Sequence, residues 1–360
     1  VDLDDRHAQL RAMSASRTEA PTQGDVTLHA TLRFAVGVTA AFVLSEMLQW
    51  APSFLGPVLA AVLLSNLPMR PPLKMAIGLM AVMSVTSLFA FAIASLFRDT
   101  PVVLFGLIGL GVFLAFLRIL RGSPPLPPLL LLISLATIPV VVMVAPAHAG
   151  ILPLAFIRSM AVALLAIWLV YAAWPLTAAP KPPANAAPGR EAPVAMALAG
   201  VAIVMPLMLV YLLFGLTDVL PVMIATVMLV ANFDLQRGRA HAMGMIIGNF
   251  AGGLLGLLMH TLLLTSPSLP FLAGLLLVVL IGFGQRVCAG GPAAAVAVLA
   301  CNAMLIILST SISSDTGTLW LWLTRVIQFA LAGAFAVGMM TLAWHRAMSR
   351  PLAKHPSATH

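Results

Sequence analysis

The sequence predicts an all-α polytopic membrane protein of about 12 transmembrane helices, arranged as two parallel six-helix repeats. Three observations carry that prediction. Hydrophobic residues make up 61% of the chain and charged residues only 8%, so its long apolar stretches must be solvated by lipid or by one another. Its 19 lysines and arginines are sorted almost entirely to one side of those stretches, as expected when charged loops are retained where synthesis occurs. A shift of 166 residues brings scarce residue types of the two halves into register: Asn66 with Asn232, Gly78 with Gly244, Pro101 with Pro267 and Phe105 with Phe271.

Hydropathy in windows of about 19 residues places spans at 28–48, 54–67, 73–97, 101–120, 126–144, 151–174, 194–215, 219–233, 241–264, 269–285, 291–309 and 319–344. The second and eighth fall short of the ~20 residues of a straight crossing, so they are expected to borrow from their flanks or to be broken or re-entrant. Residues 175–193 form the one long polar interruption, and six prolines from Pro175 to Pro193 make it an extended linker. The chain therefore divides into a cytoplasmic tail (1–27), a first repeat (28–174), the proline-rich cytoplasmic linker (175–193), a second repeat (194–345) and a cytoplasmic C-terminal tail (346–360). Six crossings return the chain to its starting side, so the halves share one orientation about an axis along the membrane normal, with substrate expected where they meet.

With the N-terminus in the cytoplasm, that side receives Arg6, Arg11, Arg17, Arg33, Arg70, Lys74, Arg118, Arg121, Lys181, Arg190, Arg237, Arg239, Arg286, Arg346, Arg350 and Lys354, while the other receives only Arg98. This asymmetry predicts a bacterial inner-membrane protein with both termini cytoplasmic. It also makes the net charge of +8 a topology signal, assisted by anionic lipid, and not a footprint for nucleic acid. Trp50, Trp320 and Trp322 mark one interface, and Trp168, Trp174 and Trp344 the other. The first apolar run is too long for the core of a cleavable signal peptide and follows a polar tail. Met13 before Ser14-Ala15-Ser16 reads as a natural start, with residues 1–12 an upstream extension.

Catalytic and cofactor chemistry find little support. Cys288 and Cys301 have no metal-ligand spacing, the eight histidines form no zinc-type cluster, and there is no Walker-type phosphate loop. No metal or cofactor is expected, and neither is direct ATP hydrolysis by this chain.

The informative groups are intramembrane and ionisable. Arg158 lies ~10 to 12 Å into span six at 1.5 Å per residue, and Arg325 reaches a similar depth in span twelve, the two matching at a shift of 167 residues. An arginine near a helix centre costs ~2.5 to 3.5 kcal/mol on insertion scales, so a matched pair calls for compensation. An anion site between the halves would supply it, the planar fork of arginine suiting a carboxylate. Snorkelling, or pairing with Glu46, Asp218 or Asp315, would serve as well. Glu46, at the outer end of span one, and Asp234, at the inner end of span eight, are proton-coupling candidates, with solvated interface carboxylates as the plain alternative. Gly244, Gly248 and Gly252 lie at four-residue spacing along one face of span nine, together with Gly253 and Gly256, and such faces let helix backbones approach closely.

The run Asn232, Asp234, Arg237-Gly238-Arg239, Gly244, Gly248 and Gly252-Gly253 resembles the basic loop and glycine-rich helix of the fusaric acid resistance superfamily, which includes the aromatic acid exporters. A weaker version follows the Trp50-Ala51-Pro52 turn in the first half, with Arg70, Lys74 and Gly78. The resemblance implies proton-driven efflux of aromatic or other organic acids, usually with a periplasmic membrane-fusion adaptor as partner. Many members carry a large cytoplasmic domain that the short linker here replaces, which marks a compact subgroup. Asp234, Arg237, Gly238 and Arg239 also resemble the loop between the second and third helices of a major-facilitator half, the alternative transporter reading, but Pro68-Met69-Arg70-Pro71-Pro72 offers no matching acid in the first half. An anion channel would share the arginine pair, and a membrane-embedded enzyme would need a catalytic constellation that no spacing here assembles. A homo-oligomer is compatible with all of these.

Overall fold

The computed structural model describes residues 23–67, 69–176, 193–214, 224, 227, 238–313 and 338. In chain order its helices are α1 (Gln23–Met47), α2 (Leu55–Asn66), α3 (Leu73–Leu96), α4 (Pro101–Leu120), α5 (Leu126–Val144), α6 (Pro146–Ala149), α7 (Ile151–Ala173), α8 (Pro193–Phe214), α9 (Gly238–Leu263), α10 (Leu269–Cys288) and α11 (Gly291–Ser313). No strand occurs among the described residues. Eight of these helices are long and apolar enough to cross a membrane, and the protein is a multi-pass membrane protein. The remaining three are α6, the 12-residue α2, and α9, which carries the apolar stretch Ile247–Leu263.

Local sequence sets the helix ends. Pro101 opens α4 and Pro270 stands in the first turn of α10, positions where a missing backbone N–H leaves no bond unmade. Pro139 and Pro206 lie inside α5 and α8, which membrane helices tolerate when neighbours cover the freed groups. In α5 the buried hydroxyls of Ser134 and Thr137 donate one turn back, to the carbonyls of Leu130 and Ile133 at 2.9 and 2.7 Å. Their polarity is thus satisfied without water.

Two spans begin earlier than hydropathy places them, α1 at Gln23 and α9 at Gly238. The extra turns are polar, and a hydropathy window senses the apolar stretch rather than the helix that runs beyond it. Asp25 in the first turn of α1 complements the positive end of the helix dipole. The one-turn α6 is too short for such a window to detect. The eighth and twelfth spans, the linker from 177 to 192 and both terminal tails lie outside the described residues, apart from Ile224, Val227, Gly338 and the tail residues from 23 onward.

Burial separates a core from a lipid-facing shell. Within the spanning windows, 78% of α5 and 67% of α11 is buried, against 22% of α10 and 33% of α3 and of α4, so α5 and α11 are central and the other three peripheral. Ile77, Val85, Leu88, Phe89, Val102 and Leu110 are exposed on α3 and α4, an apolar surface suited to lipid tails.

The helix pairings position everything that follows. α9 lies parallel to α11, with Gly248 against Val296, Gly252 against Ala300 and Gly256 against Met304. α3 lies along α5, where the Ser134 hydroxyl reaches Thr86 at 3.5 Å. Partners in both pairs are 48 residues apart. α4 runs antiparallel to α8, Gly109 meeting Met205 and Gly200 meeting Phe116, and α10 packs on α1 with Gly284 against Thr31. α2 is held by α1, α7 and α11.

Candidate functional site

The turn from α1 into α2 gathers the polar groups at one end of the bundle. α1 closes in a Schellman motif, in which the Trp50 N–H donates to the Ser45 carbonyl at 3.2 Å and the Gln49 N–H to the Glu46 carbonyl at 3.0 Å. Gln49 occupies the left-handed position usually taken by glycine, with φ of 50°, and its side-chain Nε2 adds a 2.9 Å bond to the Glu46 carbonyl. This closure presents the Trp50 ring and the Ala51 carbonyl to α7.

Arg158 of α7 meets both. Its Nη2 donates to the Ala51 carbonyl at 2.7 Å, and its guanidinium carbon lies 5.0 Å from the centre of the Trp50 ring. The Nε–H is buried and makes no hydrogen bond. Among the described residues no carboxylate forms an ion pair with Arg158, Glu46 included. Asp218, Asp315, Arg325 and Asp234 lie outside those residues.

Glu46 is buried at 8% exposure, unlike the solvated interface carboxylate that its place at a helix end suggested. Its Oε1 accepts a hydrogen bond from the Ser53 hydroxyl at 2.6 Å, and the Ser53 and Ser309 hydroxyls lie 2.7 Å apart. Ser53 and Ser309 are themselves buried. A buried chain of three polar side chains therefore runs from α1, through the turn, to α11. Hydropathy cannot see it, because Ser309 is far from Glu46 in sequence and no motif joins them.

About 20 Å along α1 from Glu46, at 1.5 Å per residue, Arg33 forms a second polar centre. Sequence reasoning counted it with the loop charges, yet it lies within α1 at 5% exposure. Its Nη1 donates to the carbonyls of Trp174 and Leu176 at 3.1 and 2.9 Å, which closes the end of α7, and its guanidinium carbon stands 4.4 Å from the centre of the Tyr171 ring. Tyr171 in turn donates to the Leu67 carbonyl at 2.9 Å. Arg33 borders a cavity of about 440 Å³ between α1, α2, α7 and α10.

The glycines of α9 lie against α11. A Cβ at Gly248 would stand 2.5 Å from Val296 Cγ1, one at Gly252 would collide with the carbonyl oxygen of Ala300, and one at Gly244 would meet, among the described residues, only Val296 Cγ2 at 3.7 Å. Among the described residues no cluster of histidine, cysteine or acid could hold a metal ion.

A family model described as a protein of unknown function (DUF2955) matches residues 30–173, the stretch from α1 to α7 that carries Arg33, Glu46, Ser53 and Arg158. No curated protein and no solved structure matches the chain.

Proposed function

We propose that the protein exports organic acids across the bacterial inner membrane in exchange for protons, as two parallel six-helix halves with both termini in the cytoplasm. The observation that carries this reading is the buried chain Glu46–Ser53–Ser309 beside the uncompensated Arg158. A buried acid and an arginine within a membrane-spanning helix belong to substrate and proton pathways by default.

The two-half architecture is supported by the packing. Shifting the α3–α5 contact Thr86–Ser134 by 166 residues lands on Gly252–Ala300, the contact between α9 and α11. The same shift carries α4 onto α10 and α1 onto α8, so that the α4–α8 contact corresponds to the α10–α1 contact. Each half thus lends its first helix to the fourth helix of the other, as a twofold axis along the membrane normal requires. Ser309 belongs to the second half and Glu46 to the first, so the hydroxyl chain spans the boundary where parallel repeats place substrate.

The chemistry follows from donor and acceptor capacity. Ionised Glu46 only accepts, which orients the chain from Ser309 through Ser53 to the carboxylate. A protonated Glu46 can donate, and the chain can then reverse. Proton uptake therefore alters a contact between the halves. Arg158, half-buried and held by the Ala51 carbonyl, offers its positive charge to a carboxylate on the cargo. A periplasmic adaptor would accept that cargo.

Uptake of labelled benzoate into inverted membrane vesicles, measured beside protein abundance, tests the reading. Arg158→Gln is expected to lower affinity for the acid at near-normal abundance, with Arg158→Lys restoring only part because it lacks the planar fork. Full transport by an abundant Arg158→Gln protein refutes the role of this arginine.

A further inference from the structure

We infer that the cavity around Arg33 binds an amphiphilic monoanion, an acid group carried on a compact apolar body. The inference deepens the transport reading by giving the cargo a second site, at the opposite end of α1 from Glu46, and rests on that reading only for the cargo's identity.

Electrostatics fixes the sign of the ligand. The described residues lining the cavity include one cation, Arg33, and no carboxylate. Nη1 is committed to the Trp174 and Leu176 carbonyls. Nε and Nη2 have no hydrogen-bond partner among the described residues, and Arg33 lines the cavity. A cation at 5% exposure with carbonyl and ring contacts but no acid among the described residues keeps part of its desolvation cost, which an incoming anion would offset. The unused N–H groups form the edge of the fork that takes a carboxylate through two parallel bonds.

The remaining walls set the body of the ligand. Ser65 and Asn66 supply short polar groups near the arginine, whereas Val26, Phe34, Leu64, Leu67 and Val287 are apolar. Asn66 Nδ2 already donates to the Val62 carbonyl at 2.8 Å, which leaves its oxygen as an acceptor and favours a ligand with one hydroxyl or N–H at most beside its acid. A volume of about 440 Å³ is at the small end of ligand sites, enough for an aromatic or short branched acid. Val287 and Cys288 come from α10, and the other lining residues from the first half, so an occupant touches both halves at once.

An acid head on an apolar body describes both a free organic acid and the headgroup region of an anionic lipid. The test is calorimetric titration of the purified full-length protein with benzoate, in neutral detergent and in nanodiscs of phosphatidylcholine with and without phosphatidylglycerol. Saturable binding is expected, at least tenfold weaker for Ala30→Phe, which fills the cavity and leaves Arg33 and its carbonyl bonds in place. Arg33→Gln is expected to match it wherever that variant elutes as the wild type does. Benzamide, isosteric but uncharged, is expected not to bind. Competition by phosphatidylglycerol would identify the lipid as an occupant of the same site, and its absence would assign the site to free acids. Lack of saturable binding by either anion, or binding unchanged in Ala30→Phe and in folded Arg33→Gln, overturns the inference. Because binding is read without transport, a failed uptake assay leaves it standing.

Discussion

Replacing Gly252 by alanine should separate α9 from α11. The added methyl would run into the carbonyl oxygen of Ala300, with the Ala300 carbonyl carbon and Cα both 2.7 Å away. All three are backbone atoms, so no rotamer change can make room and the helices themselves must part. Overpacking of this kind costs ~1 to 3 kcal/mol, and a backbone obstacle favours the upper end. Alanine returns up to ~1 kcal/mol through its better helix propensity, which leaves a net loss of about 2 kcal/mol. Gly244→Ala is the internal control. Its methyl finds ordinary contact with Val296 Cγ2 at 3.7 Å, so only the propensity gain of up to ~1 kcal/mol remains. Thermal unfolding of detergent-purified protein, followed by the monodisperse fraction on size exclusion, should therefore place Gly252→Ala well below the wild type and Gly244→Ala at or above it. Equal behaviour of the two variants would refute the parallel packing argued here.

Further expectations follow from the same geometry. Gly252→Leu should reduce folded protein by more than Gly252→Ala, since leucine meets the same backbone obstruction and adds bulk, and Gly248→Leu should reduce it too by pressing on Val296; immunoblotting of membrane fractions reads this, and undiminished abundance of both contradicts it. Glu46→Gln retains an acceptor for Ser53 at similar volume, so abundance should hold while the pH dependence of vesicle transport is lost; a profile that still follows the wild type removes Glu46 from coupling. Ser309→Ala deletes the link to α11 and should cost ~1 kcal/mol of stability, the net value of one hydrogen bond, visible as a lowered unfolding midpoint. Single cysteines in the 175–193 linker should react only from the cytoplasm and one at Ser266 only from the periplasm; periplasmic labelling of the linker in intact cells would overturn the topology.

How far the sequence reaches is set by which physical signals are local. The spans that became α3, α4, α5 and α7 were legible because lipid solvation needs a continuous apolar run, and their boundaries match within a few residues. The polar first turns of α1 and α9 were not, since a helix continues wherever its backbone bonds allow and no hydropathy change marks the start. Arg158 stood out because a charge deep in an apolar run is conspicuous, although its carbonyl and indole partners are more than a hundred residues away in sequence. Arg33 was hidden by its nearness to a polar tail. Charge alone does not separate an arginine that snorkels from one that is folded inward onto the end of α7. The Glu46 relay lay beyond reach for a different reason: serines are common and cheap in membrane helices, and only the tertiary approach of α11 gives Ser309 its meaning.

The central claim, proton-coupled export of an organic acid, is tested most directly by the direction of accumulation. Purified protein is reconstituted into liposomes with an acidic lumen, and labelled benzoate is added outside. Passive permeation of the neutral acid drives benzoate toward the alkaline side, out of the lumen. Exchange for protons drives it into the acidic lumen, against that distribution. Proton-coupled export predicts lumenal accumulation that collapses when a protonophore is added and is diminished in Glu46→Gln. Benzoate that merely follows passive partitioning, or an anion current that flows without proton exchange, would contradict it.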